Sequence, residues 1–525
     1  MNAVAHEVRG SGPVAPGVAP DDPGTRPRRL GPLPLRAPWL RLVVAWAPAA
    51  ALGLALGVVM PRGPMTTGQS VSALGLAAVV GAFAGWWGGR RAAVVAPVVY
   101  AVVFELVRLD VTGPTVDGIR LDSLYAVGAL VAGRGFDALV VLLPMAVAAL
   151  WAAVARRRRA GQVLGGRRAV RVLRRAGLGV GSGVVVLVLA LLVRPASTEP
   201  ILDADGSALE GSIAELVTVP IGGHEQGLML RGHDVDAPVL LFLEGGPGGT
   251  AVGAMRYGGE GLEEDFVVAT WDQRGTGRSA GALEPAGTLT VAQSVADTIE
   301  VVEYLCDRFD ESGVYVVGSS WGTTLGVLAV QARPDLFHAY VGTGQMVSQA
   351  ETDQLMYAES LDDAVSTGAD GFADQLRRLG PPPYDDVLSY PIALSSNPRW
   401  TDFTPGADND WRSAYPVSLF VAEYTFTEQI RSVAALMETF GVLYPQLQGI
   451  DFRRDVPTLG VPTFVVLGEH EASGRAVLAQ EWFVGLDAPA KELVVWDHSG
   501  HTPHLDEPGR FATFMEHVLE AAPAR

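Results

Sequence analysis

Two textures of hydrophobic spacing meet near residue 195. Before it, runs of Leu, Val, Ala and Gly are almost unbroken by charge, at Leu42–Met60, Val71–Trp87, Ala92–Val107, Ala138–Val154 and Leu178–Val193. Each is at the short end of the roughly 17–25 apolar residues that cross a bilayer, so five transmembrane helices are predicted within residues 39–195. Leu124–Ala132 is too short to cross and reads as an interfacial or re-entrant segment between the third and fourth spans. Residues 1–38, rich in Pro, Gly and charge, read as a disordered tail. They contain no apolar run of the kind a cleavable signal needs.

From about residue 205 to 525 short apolar runs alternate with helical patterns. ELVTVP, GLMLRG, PVLLFLEGG and FVVATWDQRG read as strands, Val291–Phe309 as a helix, and VYVVGS and HAYVGTG as further strands. That alternation predicts an α/β domain whose mainly parallel sheet is covered by helices on both faces. The rhythm breaks after Gln345 and resumes at PTFVVLGE and KELVVWDHSG. Residues 346–457 therefore read as an insertion that caps the carboxyl ends of the strands.

Composition sharpens this division. A chain of 525 residues with 49% hydrophobic content exceeds one ordinary soluble domain. The net charge of −18 conceals arginine clusters in the amino-terminal part and an acidic remainder, which excludes nucleic acid as a partner. Arg26, Arg28, Arg29, Arg36 and Arg41 precede the first span, Arg90 and Arg91 separate the second from the third, and Arg156–Arg159, Arg167, Arg168, Arg171, Arg174 and Arg175 separate the fourth from the fifth. With five spans all three clusters share one side, which puts the tail in the cytoplasm and everything after Val193 outside it, in a multi-pass protein of the cell membrane. Glu105 is the one acidic residue inside a predicted span, near its end, so the spans read as an anchor held by the lipid bilayer rather than a transport path. Cys306, the single cysteine, excludes a disulfide within the chain and reads as a core residue.

The candidate chemistry begins at VYVVGSSWGTTLG, a strand running into Gly318-x-Ser320-x-Gly322 and then a helix. A strand-to-helix turn this tight holds the serine hydroxyl up for attack and leaves no room for a Cβ two residues to either side. A serine nucleophile needs an imidazole to take its proton and a carboxylate to orient that imidazole. His501, in the Ser-Gly-His turn after KELVVWD, is the candidate base; His498 and His504 flank it as structural or solvent-facing residues, and His470 has no assigned role. No metal-ligand cluster or phosphate-binding loop occurs, so no cofactor is expected.

EGGPGG at Glu244–Gly249, WDQRGTGRS at Trp271–Ser279, GSSWGTTLG at Gly318–Gly326 and DHSGHTPHLDEP at Asp497–Pro508 together resemble the α/β-hydrolases of the prolyl aminopeptidase (proline iminopeptidase) family. The resemblance covers roughly residues 214–522 and implies the α/β-hydrolase fold with its cap. It places the triad acid in a Gly-x-x-Asp string after PTFVVLG, where this chain has Gly468-Glu469-His470-Glu471; Glu471 falls on the acid position and Glu469 is the alternative. Trp321 and Gly246 fill the positions of the two oxyanion-hole amides. Gly245, Pro247 and Gly248 form a loop that a substrate can approach closely. Asp272, Arg274 and Arg278 read as braces of the neighbouring loop.

Two departures stand out. The family begins its oxyanion loop with histidine, whereas this chain has Glu244, a carboxylate that opposes an oxyanion unless paired or turned away. The family's Trp-x-x-Trp-Glu element, associated with recognition of a free amino terminus, is missing from the cap. Glu359, Asp362, Asp363, Glu423 and Glu428 are the acidic candidates there, and Tyr357, Trp400, Trp411, Tyr415 and Tyr424 the aromatic ones. The expected protein is a membrane-anchored serine hydrolase of aminopeptidase type acting on a small peptide. A carboxylesterase or lipase using the same triad on an acyl ester, and a non-catalytic membrane-bound sensor or binding module, are the alternatives.

Overall fold

The structure, a computed structural model, describes residues 38–59, 66–108, 127–128, 131–136, 138–162, 168–283, 286–395 and 397–524. The expected tail, Pro38 apart, and most of Leu124–Ala132 lie outside the described residues.

Among the described residues four helices are long and apolar enough to cross a membrane: α1 (Pro38–Val59), α2 (Thr67–Val107), α3 (Leu143–Arg159, continued backward by an apolar turn from Ala138) and α4 (Arg168–Leu192). At about 1.5 Å per residue, the 41 residues of α2 would reach twice the hydrocarbon thickness. Gly89, at φ 68° and ψ −158°, breaks it into two arms, which carry the second and third expected spans. Arg156 Nη1 donates to the Trp87 carbonyl beside the break, at 2.6 Å. The first arm packs on α3 through Gly81 and Gly85, where a Cβ would stand 2.1 and 1.9 Å from the carbonyls of Met145 and Ala149. Small residues at this four-residue spacing let membrane helices approach backbone to backbone. Helix α4 begins earlier than the expected fifth span, so Arg168, Arg171, Arg174 and Arg175 sit on its opening turns rather than in a loop. Arginine has a high helix propensity, and its long side chain reaches water from a helix end, so the helix runs past the apolar boundary.

Beyond residue 200 the chain builds an eight-stranded sheet in the order β1-β2-β4-β3-β5-β6-β7-β8. The strands are Ile213–Ile221, His224–Gly232, Val239–Leu243, Val267–Trp271, Val314–Ser319, Phe337–Thr343, Thr463–Gly468 and Lys491–Trp496, numbered in chain order. β1, β2 and β4 pair antiparallel, and every other pair is parallel. The central strands read as continuous apolar runs because both faces are covered. Leu241, Leu243, Val314 and Val316 face α5 (Val291–Phe309) and α6 (Trp321–Ala332), while Leu240, Phe242, Tyr315 and Val317 face α10 (Pro508–Ala521) through Phe511, Phe514 and Met515.

Between β6 and β7 the chain leaves the sheet for a helical cap that includes α7 (Gln349–Ser366) and α8 (Phe426–Leu443). Helix α8 starts at a capping box, Thr425 with Glu428, that satisfies its opening amides. Phe426 and Ile430, on its first turns, pack against the core of the amino-terminal helices. Phe426 lies 6.1 Å from Phe136, and the hydroxyls of Thr427 and Thr67 meet at 2.5 Å. One cap helix therefore touches both halves of the molecule.

Candidate active site

Ser320 closes β5 with φ 53° and ψ −118°, a conformation that costs a non-glycine residue on the order of 1–3 kcal/mol. Tight packing imposes it. A Cβ on Gly318 would stand 2.5 Å from the Gly322 carbonyl, and one on Gly322 would stand 1.9 Å from the Leu243 carbonyl. Ser320 N–H donates to Thr343 O at 3.0 Å, which ties the turn to β6. Trp321 opens α6, so its amide is among the first-turn donors that the helix leaves without an internal partner.

The loop after β3 lies over this turn. Gly246, at φ 122°, adopts backbone geometry that only glycine takes easily. Gln273 donates from Nε2 to Glu244 O and accepts at Oε1 from the Trp321 indole, both at 2.9 Å, so one side chain ties the loop to the elbow. Asp272, Arg274 and Arg278 act as braces, with partners both within their own loop and on other segments. Arg274 forms a two-point ion pair with Asp297 of α5, and Asp272 accepts from the Arg278 amide and from Tyr424 of the cap.

His501 follows β8 in a turn held by Ser499, which donates to Glu507, and by Gly500, which donates to Asp506. A Cβ on Gly344 would stand 2.8 Å from His501 Nδ1, so the ring lies beside the residue that follows Thr343, the acceptor of the serine amide. Nδ1 meets Glu471 Oε2 at 2.5 Å. Glu471 is buried and its other oxygen accepts from Arg475 at 3.0 Å and from the Ala472 amide at 2.8 Å. Burial alone would raise the Glu471 pKa, but the fields of His501 and Arg475 and their hydrogen bonds outweigh it and bring the group to about 2. Glu469 points to solvent, so the structure pairs His501 with Glu471 and not with the alternative.

Two cavities flank Gly246. The smaller, about 140 Å³, holds Ser320, Trp321 and Gly246 within a wall of Met346, Tyr390, Leu394, Phe440 and Tyr444, with Arg475 at its edge. The larger, about 400 Å³, runs from Gly245, Gly246 and Gly248 to Ser413–Tyr415 and Ser418 of the cap and includes two carboxylates, Glu244 and Asp506. Pro247 lines neither. Glu244 accepts the Gly245 amide at 2.7 Å, and burial, with the Asp272 charge adding to it, pushes its pKa up to about 7 against that hydrogen bond. Burial likewise raises Asp506 to about 6.

Four of the five acidic cap candidates are occupied elsewhere, and Asp362 is exposed. Glu359 accepts from Trp400 and Ser473, Asp363 from Asn397 and Arg399, Glu423 pairs with Arg256, and Glu428 caps α8. None of them lines either cavity, and of the aromatic candidates only Tyr415 does. Buried His504 bonds Thr343, and His470 stacks on Phe403. Sequence reading passed over Arg475, although its place four residues after Glu471 at a helix start is a recognisable pairing distance. It also passed over Gln273, whose partners lie on two other segments and leave no local signal.

Residues 238–379 match the family model described as the alpha/beta hydrolase fold. A protein of Bacillus subtilis (strain 168) described as a probable aminopeptidase is 31% identical over 308 residues, which cover 58% of this chain and 96% of that relative. The proline iminopeptidase of Heyndrickxia coagulans is 19% identical over 295 residues, 54% of this chain and 90% of the relative. Among solved structures, a proline iminopeptidase-related protein of Thermus thermophilus aligns with 59% of this chain and 98% of its own, at 20% identity and a TM-score of 0.42.

Proposed function

The chain belongs to the α/β-hydrolases of the prolyl aminopeptidase family, and from that premise we propose that it is a membrane-anchored serine hydrolase that removes amino-terminal residues from peptides. Ser320 is the nucleophile, His501 the base, Glu471 the acid, and the amides of Gly246 and Trp321 the oxyanion donors. The observation that carries the reading is the 2.5 Å contact of Glu471 Oε2 with His501 Nδ1. With Nδ1 carrying the proton, Nε2 is left as the acceptor.

In this mechanism His501 Nε2 takes the Ser320 proton as Oγ bonds to the scissile carbonyl carbon, and the carbonyl oxygen becomes an oxyanion held by the two amides. Collapse breaks the carbon–nitrogen bond, and the proton on Nε2 passes to the leaving amine. Water, deprotonated by the same imidazole, then releases the acyl group from Ser320 through a second oxyanion. Glu471 stays ionised throughout and stabilises the imidazolium.

The small cavity at Ser320, in which Met346, Leu394 and Phe440 stand beside polar groups such as Gln349 and Ser395, has room for a compact side chain such as proline. A carboxylesterase reading is favoured by the same cavity, which has no carboxylate to receive a free amine; in the peptidase reading that role falls to Glu244 in the adjoining space. The arginine clusters support an extracytoplasmic catalytic domain.

The test is labelling of the full chain with a fluorophosphonate, followed by a substrate panel. Labelling that Ser320→Ala abolishes is the expected result, and a folded wild type that does not react would move the reading to a non-catalytic module. Cleavage that requires a free amine marks the peptidase, and hydrolysis of blocked acyl esters marks the esterase.

A further inference from the structure

The rim of the larger cavity is built from a short stretch of the cap with an unusual surface. Beyond the amino-terminal helices, the exposed aromatic side chains among the described residues are Trp411, Tyr415 and Phe420, at 69, 56 and 69% exposure. All three fall within one strip, although a folded surface ordinarily scatters such residues singly. Tyr415 lines the cavity, together with Ser413, Ala414 and Ser418 of the same strip; Trp411 and Phe420 do not line it and face outward.

The strip is fastened to the chain where it leaves the membrane helices. Ala422 O accepts from Ser197 N at 3.0 Å, and Tyr424 O accepts from Arg194 Nη2 at 2.6 Å, only a few residues past the end of α4 at Leu192. Thr427 meets Thr67, at the start of α2, directly afterwards. Aromatic rings set at the ends of membrane helices occupy the headgroup layer, where an apolar body and a polar edge are both solvated. Behind the rim, the cavity floor carries Glu244 and Asp506, and its lining includes no Lys, Arg or His.

We propose that the 411–420 strip rests on the headgroup layer of the bilayer that holds this chain's own helices, and that the cavity behind it admits an amine-bearing amphiphile from that layer. The amphiphile passes Tyr415, sets its ammonium against Glu244, and presents its carbonyl at Gly246, which the larger cavity shares with the cavity of Ser320. The substrate half of this proposal rests on the serine-hydrolase reading above; the surface half rests only on the membrane helices.

Full-length protein in lipid nanodiscs tests both halves. In a Cys306→Ala background, Phe420→Cys carries a nitrobenzoxadiazole label, and Val484→Cys, exposed on α9 (Ser473–Gly485), carries the same label as a control. Brominated acyl chains are expected to quench the first label and not the second; an unquenched label at 420 overturns the surface. Hydrolysis is then compared for a long-chain amino ester dissolved in the bilayer and a short-chain, water-soluble amino ester. The Trp411→Ala, Phe420→Ala double variant is expected to lose about tenfold in kcat/KM on the first, equivalent to about 1.4 kcal/mol, and nothing on the second. Equal effects on both esters overturn the delivery route. A wild type that hydrolyses neither overturns the substrate half along with the hydrolase reading, while quenching still decides the surface.

Discussion

Replacing Glu244 by glutamine keeps an acceptor for the Gly245 amide and removes a carboxylate held at about 7 instead of 4.5. At about 1.36 kcal/mol per pH unit, that difference disfavours the ionised form in the folded chain by an amount on the order of 3 kcal/mol. Between these two values the folded protein keeps a proton that the unfolded chain has released. Stability therefore falls as pH rises through that window, and the loss is complete above about 7. The glutamine variant has no such loss. Its advantage over wild type is expected to grow by about 3 kcal/mol from pH 4.5 to pH 8, read as a few degrees in the thermal midpoint. Melting of the full chain in detergent, followed by tryptophan fluorescence at a series of pH values, gives this difference directly. A gap that stays constant across the window refutes the buried-carboxylate reasoning. Activity supplies a second readout with opposite signs. On a neutral ester the ratio of Glu244→Gln to wild type should rise through pH 7, because an ionised carboxylate opposes the nearby oxyanion; on a free-amine substrate it should fall, because the ammonium loses its counter-charge.

Glu471→Gln should lower kcat by roughly 10³–10⁴-fold by losing the charge that orients and stabilises the imidazolium, measured with either substrate class. The pKa of Glu471 is depressed to about 2, so its contribution to stability is present above pH 4.5 and lost as pH falls toward 2; acid titration of the folded fraction should show wild type losing its advantage over Glu471→Gln in that interval. Arg475→Met removes the guanidinium that helps hold the Glu471 pKa down and should shift the acid loss of the folded fraction to higher pH, seen in the same titration. Gly322→Ala, whose new methyl would stand 1.9 Å from the Leu243 carbonyl, should abolish fluorophosphonate labelling and cost about 3 kcal/mol or more, seen as a lower denaturant midpoint.

Local patterns were enough for the sheet and for the turn at its centre. Period-two and all-apolar runs set β1–β8 because a strand's faces are written into consecutive residues, and Gly-x-Ser-x-Gly marked the elbow because its glycines answer to neighbours two residues away. The family resemblance put Glu471 on the acid position and left Glu469 as the alternative; in the structure Glu471 lies against His501, and Glu469 is turned to water. The long apolar helices were legible from hydropathy. Their junction at Gly89, and the start of α4 at Arg168, depend on backbone geometry and on where long arginines reach water.

The surroundings of the site were not legible in this way. Acidic residues of the cap looked equivalent as sequence; the fold places Glu359, Asp363, Glu423 and Glu428 in pairs and caps and leaves Glu244, from the loop after β3, as a carboxylate facing open space. The wall of Tyr390, Phe440 and Tyr444 around Ser320 is assembled from separate cap segments. Helix α8 touches the core of the amino-terminal helices at Phe426 and the site at Phe440. A residue's period and turn chemistry are set by its immediate neighbours. Its partner, its burial and its proton affinity are set by residues that only the packing of distant segments brings near, and so the sequence determined the scaffold and the turn that carries Ser320 while tertiary structure decided what surrounds them.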